Sequence, residues 1–493
     1  MKRWLSAHSS LACALLLLGC AGEDATGVHD SPQTPTPGAP EPEAVARLAA
    51  TWQSAREHGA SCVALVRHQG QVLGTFEAGS SHREPSAPNT RETAFDIGSI
   101  TKQFTGAAIM HLHEQGQLDL QATLGELLDD VPADKANISV HQLLTHTAGF
   151  AGALGYDDEP IVRDEYLARA WQRPLSAEPG TLHHYSNTGY SILGAIIEEL
   201  TGRSYEAYLE DELLRPAGLH DTGYIDLGLE PSRVAVGYLS AEAEGEEAEG
   251  EEPFDDPLER PHAPDGYYWN LRANGGLLST LGDLTRWSDA LLGGEVLGPD
   301  ALATYLTPHV REGLGSDGYY AYGWAISDTE AGRLIWHDGG NGFFFADVRR
   351  YVDADLLVIV LCNEDSDAAS RLPVELAHAV LPELPSADEL PEPPPLAIDR
   401  EETLEGSTTS FVESVDVGAE QGGAIAGFFA ELVAGRVRYR VRAPDGAIFI
   451  EGESREDELL ERLVAIPARV GRWQLEVDAE GATGDLFFAW AWD

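Results

Sequence analysis

From Glu43 onward, apolar residues recur at Val45, Leu48, Trp52 and Ala55, and then give way to two short runs, residues 62–67 and 71–76, parted by Gln69-Gly70. A 3.6-residue period followed by strand-like runs around a glycine turn predicts a helix and then a hairpin. Residues 99–292 keep a mostly helical pattern broken by Gly and Pro, after which strands are predicted at 343–352 and 356–362 and a helix at about 369–381. Past a Pro-rich stretch with Pro391, Pro393, Pro394 and Pro395, the pattern changes to strict alternation. Val437, Tyr439 and Val441 interleave with Arg436, Arg438, Arg440 and Arg442, a turn falls at Pro444-Asp445-Gly446, and Trp473, Leu475 and Val477 repeat the period of two. With Phe487, Phe488, Trp490 and Trp492 this predicts a small β-sandwich over residues 400–493, its aromatics read as core before they are read as a carbohydrate-binding face.

The ends and linkers carry a different signal. Lys2 and Arg3 precede an apolar run, residues 11–18, that is too short for a permanent membrane span and suits a signal peptide. Leu17-Leu18-Gly19-Cys20 follows at once and resembles a lipobox, so residues 1–20 read as a lipoprotein signal with Cys20 as the lipidated residue; the alternative is an ordinary signal in which Cys20 is incidental. Residues 21–42, rich in Pro, Thr and acid, read as a disordered tether, and residues 382–399 as a second linker. An acidic insert at 241–252 reads as a surface loop. The chain is then expected to be exported and tied to a bacterial membrane by lipid alone.

At 493 residues the chain is long enough for two or three domains, and 43–381 and 400–493 are the two proposed. Its 32 Lys and Arg stand against 82 Asp and Glu, a net charge of −50, which excludes nucleic acid as a partner and favours a soluble monomer. Nearly every basic residue is arginine; the lysines are Lys2, Lys102 and Lys135.

Lys102 stands in Gly98-Ser99-Ile100-Thr101-Lys102, ahead of a helical pattern through Phe104, Ala108 and Leu112. If Ser99 opens that helix, the amine lies one turn on and reaches the hydroxyl. A serine becomes a nucleophile when a base takes its proton, and a lysine desolvated near a helix N-terminus can do so, whereas arginine cannot. The alternative is a capping serine beside a surface lysine. Two weaker elements follow: Tyr185-Ser186-Asn187, leading into an apolar helix, and Trp336-His337-Asp338-Gly339-Gly340, just before a strand. His111 with His113, and His141 with His146, lack a second ligand set in sequence, and no nucleotide motif occurs, so neither metal nor cofactor is expected.

Taken in order, Ser-x-x-Lys, Tyr-x-Asn and His-x-Gly resemble the serine β-lactamase and penicillin-binding-protein superfamily, in its class C branch with the D-alanyl-D-alanine carboxypeptidases and family VIII esterases. The stretches 138–149, 216–219 and 274–280 add to the resemblance, which covers about residues 43–381. It implies an α/β serine β-lactamase-like fold, an antiparallel sheet flanked by helices with an all-helical subdomain. It further implies Ser99 as the acylated nucleophile, Lys102 with Tyr185 as the proton-shuttling pair, and Asn187, His337, Asp338 and Gly339 around the substrate. The backbone N–H groups of Ser99 and Gly340 would form an oxyanion hole. The same fold sets its first strand beside its last, which would bring Cys62 and Cys362 within disulfide reach in an oxidising compartment; the alternative is two separate buried thiols.

Many relatives carry Thr or Ser where Asp338 stands. A carboxylate facing the cleft would disfavour substrates with a carboxylate at that end, pointing to an esterase or amidase; the alternative is that Asp338 turns away and caps local backbone. Expected partners are therefore small esters, amides or peptides. A D-alanyl-D-alanine carboxypeptidase or D-peptidase, and a non-catalytic binding lipoprotein, are the competing readings.

Overall fold

The computed structural model describes residues 42–224, 228–239, 254–260, 265–266, 268–313, 316–390, 398–417, 423–455, 459–467 and 471–492. The expectations for the signal, for Cys20, for the tether before Pro42 and for the acidic insert lie outside them.

Helix α1 (Pro42–Glu57) turns Leu48 and Trp52 inward as expected, with Ala44 beside them, whereas Val45 is exposed. Strands β1 (Cys62–His68) and β2 (Gln71–Glu77) form the expected hairpin, and its turn residues Gln69 and Gly70 both hold positive φ, as a two-residue hairpin turn requires. They begin an eight-stranded sheet, antiparallel throughout, that continues with β3 (Val310–Arg311), β4 (Tyr319–Tyr320), β5 (Ala325–Thr329), β6 (Gly332–Gly340), β7 (Phe345–Tyr351) and β8 (Leu356–Cys362), in the order β2-β1-β8-β7-β6-β5-β4-β3.

Each central strand supplies two cores. Cys62, Ala64 and Val66 of β1 with Leu356, Val358 and Val360 of β8 pack under α1 and helix α5 (Asp367–Val380). Val63 with Leu357, Ile359 and Leu361 face a larger helical core built on α2 (Thr101–Glu114), α3 (Asn187–Thr201) and α4 (Leu281–Leu292). Burial on both faces explains the unbroken apolar run of β8. Cys62 and Cys362 stand directly opposite in the β1–β8 register and are joined as a disulfide.

Trp336–Gly340 stands just before a strand, β7, as expected, and is itself the second half of another, β6, which the sequence pattern does not mark. Glycines and a Trp-His-Asp run hide the strand period there. In the C-terminal region, which begins at Ile398, the residues form one five-stranded antiparallel sheet where a sandwich of separate sheets was expected. Its strands are β9 (Ile398–Val417), β10 (Gly423–Arg442), β11 (Ile448–Arg455), β12 (Leu459–Pro467) and β13 (Gly471–Trp492). Register shifts interrupt β9 near Ser407 and β10 near Ala434, and β10 pairs β12 before its shift and β11 after it. Phe428 and Tyr439, on opposite sides of the shift, nevertheless stack at 4.4 Å within one core with Val437, Val441, Trp473 and Val477. Bulges sharpen the local bend of a strand, so a single sheet curls over its own apolar face. The arginines between those core residues point outward to acidic partners, among them Arg438 to Glu453 and Arg442 to Glu476. Leu384 is buried against the core under α1 and α5, so the stretch expected to be a linker is in part packed structure.

Candidate active site

Ser99 sits in a single 3₁₀ turn, Gly98–Ile100, that runs straight into α2. Apolar residues surround α2 on nearly all sides, which makes it a central helix and seals Lys102 from solvent. The Lys102 Nζ lies 3.0 Å from Ser99 Oγ, 2.8 Å from Asn187 Oδ1 and 2.8 Å from the Asn274 carbonyl oxygen. Burial pushes its pKa well below that of an ordinary lysine, with Asp157 and Asp338 opposing the shift only in part. A neutral amine keeps two N–H groups and one lone pair. With the amide oxygen of Asn187 and the carbonyl of Asn274 accepting two of its N–H groups, deprotonation of the amine would leave its lone pair for the Ser99 hydroxyl.

Tyr185 arrives on the loop before α3, and Asn187 is the first residue of that helix. Ser186 caps that helix by accepting from Gly189 N–H, and its hydroxyl donates to the Ala151 carbonyl. The Tyr185 ring lies under the amine, 4.7 Å from ring centroid to Nζ. Beneath this loop lies His146, whose ring packs against Tyr185 with centroids 4.2 Å apart and which accepts the Ser186 N–H at Nδ1, 2.9 Å away. Burial holds it neutral. His146 is thus structural, as expected, but what it supports is the Tyr-x-Asn loop. Asn274 is a site residue to which the motifs gave no role. Its side chain is tied to Ser191 and the Asn270 carbonyl, and the available signal was Ala273-Asn274-Gly275-Gly276, where Ala273 and Gly276 both take positive φ.

Strand β6 closes the other side. Alternation turns His337 and Gly339 toward the helical core and Asp338 to the opposite face, level with Asp347 on β7. His337 Nδ1 donates to the Asp338 carbonyl at 2.5 Å, since a carbonyl can only accept, and Nε2 takes the Tyr320 hydroxyl at 2.9 Å. Burial drives its pKa down to about 4, so it is a neutral wall of the cleft. Asp338, 29% exposed at its side chain, acts on Lys102 and His337 through its field. Gly339 and Gly340 press directly on the nucleophile's turn: a Cβ on Gly98 would lie 2.7 Å from Gly340 N, and one on Gly339 2.5 Å from Ser99 N. Only glycines allow this approach, which sets the Gly98–Ser99 backbone against that of Gly339–Gly340. Among the described residues no cluster of His, Cys, Asp or Glu could hold a metal ion.

One group at the rim titrates near neutrality. Glu312 follows β3, its carbonyl accepts from His183, and burial, then the charge of Asp338, raises its carboxyl to about 8. An unfolded glutamate titrates near ~4.3. The folded state therefore holds this proton more tightly, and the stability it contributes is full below about pH 4 and is lost as pH rises toward 8. Glu312→Gln is expected to flatten the fall in Tm between pH 5 and 8.5. Parallel Tm profiles for the two proteins would show that Glu312 titrates alike in the folded and unfolded states.

A serine, a buried lysine, a Tyr-x-Asn loop and a glycine-faced strand meeting in this way define a β-lactamase-type site, and similarity to known proteins agrees. The family model described as Beta-lactamase matches residues 45–380, and the chain belongs to that family. It is 27% identical over 331 residues to penicillin-binding protein 4* of Bacillus subtilis, covering 63% of this chain and 70% of that protein. With esterase EstB of Burkholderia gladioli it shares 29% identity over 344 residues, 57% of this chain and 86% of that one. The crystal structure of a penicillin-binding protein from Bacillus halodurans superposes with a TM-score of 0.55 at 25% identity, covering 68% of this chain and 99% of the other. Among the described residues no helix is long and apolar enough to cross a membrane.

Proposed function

We propose that this chain is an exported serine hydrolase, lipidated at Cys20, that cleaves small esters or amides through an acyl-enzyme on Ser99. The observation that carries the reading is the environment of Lys102: sealed from water, with two oxygens accepting its N–H groups and its remaining position on Ser99 Oγ. In the proposed step the Ser99 proton passes to Lys102, with Tyr185 beside it as relay, while Oγ bonds to the substrate carbonyl carbon. The carbonyl oxygen gains negative charge between the N–H groups of Ser99 and Gly340. Collapse of that intermediate expels the alcohol or amine, which leaves with the proton, and water then releases the acyl group by the same route. Asn187 and the wall of His337 and Gly339 would orient the substrate, with Asp338 acting on it from the opposite face of β6 through its charge.

The similarity to an esterase supports ester cleavage, and the similarity to a penicillin-binding protein supports the competing D-alanyl-D-alanine carboxypeptidase reading. Asp338 favours the former. Its charge stands at the strand end without sharing the face of His337, so its effect on an incoming carboxylate is a field effect at several ångströms, worth about 1 kcal/mol at an intermediate dielectric. Asp338→Thr is accordingly expected to raise kcat/KM for carboxylate-bearing substrates about three- to tenfold relative to a neutral aryl ester. Wild-type protein that turns over a cephalosporin, or releases D-alanine from a peptide, faster than it cleaves a neutral ester of similar size would reject the esterase reading. Labelling by a fluorophosphonate at Ser99, found by peptide mass spectrometry, tests the hydrolase reading against that of a non-catalytic binding protein.

A further inference from the structure

The proposed oxyanion hole is made of two backbone N–H groups from segments far apart in sequence, and a buried polar chain joins the segments behind it. On the Ser99 side, Asp96 is 2% exposed; its Oδ1 accepts the Gly98 N–H at 2.7 Å and its Oδ2 meets Arg260 Nη1 at 2.6 Å. Arg260 then donates from Nε to Asp255 Oδ1 at 3.0 Å and pairs through Nη2 with Asp255 Oδ2. That second oxygen accepts from Asn341 Nδ2 at 3.2 Å, and Asn341 Oδ1 in turn accepts the N–H groups of Phe343 and Phe344, setting the turn that follows Gly340. The chain thus begins one residue before Ser99 and ends one residue after Gly340.

We infer that Arg260 is a positioning residue for the oxyanion hole, holding the Ser99 and Gly340 N–H groups at a fixed separation through Asp96 on one side and Asp255 and Asn341 on the other. The planar guanidinium suits the task, because it offers several donors in a rigid fork and so fixes the angle between two carboxylates as well as the distance; a lysine would hold only a point contact. Packing alone does not do the same. Gly98 and Gly339 are in van der Waals contact, which prevents closer approach but does not resist separation. Arg260 lies shortly after the acidic insert, so the segment beyond that insert reaches into the core beneath the nucleophile.

The inference rests on the hydrolase reading above and is tested on the full chain. The variants are Arg260→Lys, which keeps the charge between the carboxylates, Asn341→Ala, which cuts the chain at its far end near the surface, and their combination. Each is assayed for kcat and KM on a short aryl ester and for affinity toward an alkyl boronic acid, whose tetrahedral serine adduct places an oxygen in the hole. Both single variants are expected to lose about tenfold in kcat with KM within about twofold, because donors displaced by a fraction of an ångström fail the transition state more than the ground state. Boronate affinity should fall by the same factor. The combination should be no worse than about twice the weaker single variant, since both changes break one chain. Folded variants with full kcat, a rise in KM at constant kcat, or losses that multiply to about a hundredfold in the combination would overturn the inference. Wild-type protein that takes no acyl label on Ser99 would instead refute the hydrolase reading, and this inference with it.

Discussion

Ser99→Ala is expected to abolish covalent labelling and to lower turnover of a short-chain aryl ester by about 10⁴- to 10⁶-fold, the scale seen when a nucleophile is removed from a constellation that acts as a unit. Lys102→Arg should cost at least about 10³-fold, although it keeps a cation in place. The guanidinium cannot surrender its proton, and it is too large for a site whose three contacts all lie within 3.0 Å of one nitrogen. Wild-type activity should fall as pH drops through the lowered pKa of Lys102, which then takes up a proton and loses its lone pair. Measured kcat/KM against pH, together with the two variants, checks the whole assignment. Full activity in Lys102→Arg would remove Lys102 from proton transfer.

Gly339→Ala carries the next largest effect. A methyl group there would lie 2.2 Å from the Ile97 carbonyl oxygen, 2.5 Å from Ser99 N and 3.0 Å from Gly98 C, all backbone atoms that no rotamer change can clear. Strand β6 must then move away from the nucleophile's turn. Overpacking of this kind costs about 1–3 kcal/mol of stability, and the separation of the two N–H groups should lower kcat by about 10²- to 10³-fold, as loss of one oxyanion donor does. Gly282→Ala serves as control, because a methyl there meets only the flexible end of Arg286 and the Thr280 hydroxyl at 3.4 Å or more. Esterase turnover and fluorophosphonate labelling of the two variants decide the point. Wild-type labelling rates in folded Gly339→Ala would show that the contact is not needed for the hole.

Part of this architecture is written in local sequence. The helix through Leu48 and Trp52, the hairpin at Gln69-Gly70 and the fully apolar strand 356–362 follow from local periodicity and turn chemistry. Strands β3 to β6 escape that kind of reading because they are short or rich in glycine, and because residues buried on both faces lose the alternation by which a strand is recognised. The C-terminal alternation does mark strands, with Val437, Tyr439 and Val441 inward and the arginines outward. Which strands continue through a bulge, and so whether there is one sheet or two, depends on pairings between residues distant along the chain, such as Ile398 with Trp490.

The functional groups divide along the same line. Sequence is enough to establish the chemistry on offer near Ser99: a lysine three residues after a serine at a helix start, in a chain that otherwise uses arginine, is a local relation set by helical geometry. It is also enough to show that glycines flank the nucleophile and the His-Asp strand. Folding alone settles that Asn274 and Asn187 accept the amine's protons, that His146 lies beneath Tyr185, that Asp338 stands on the face opposite His337, and that Arg260 connects the two sides of the site. The physical reason is that a desolvated amine, a buried ion pair and an oxyanion hole are each defined by partners brought from distant segments, and local sequence constrains what a residue can donate or accept but not what folding sets against it.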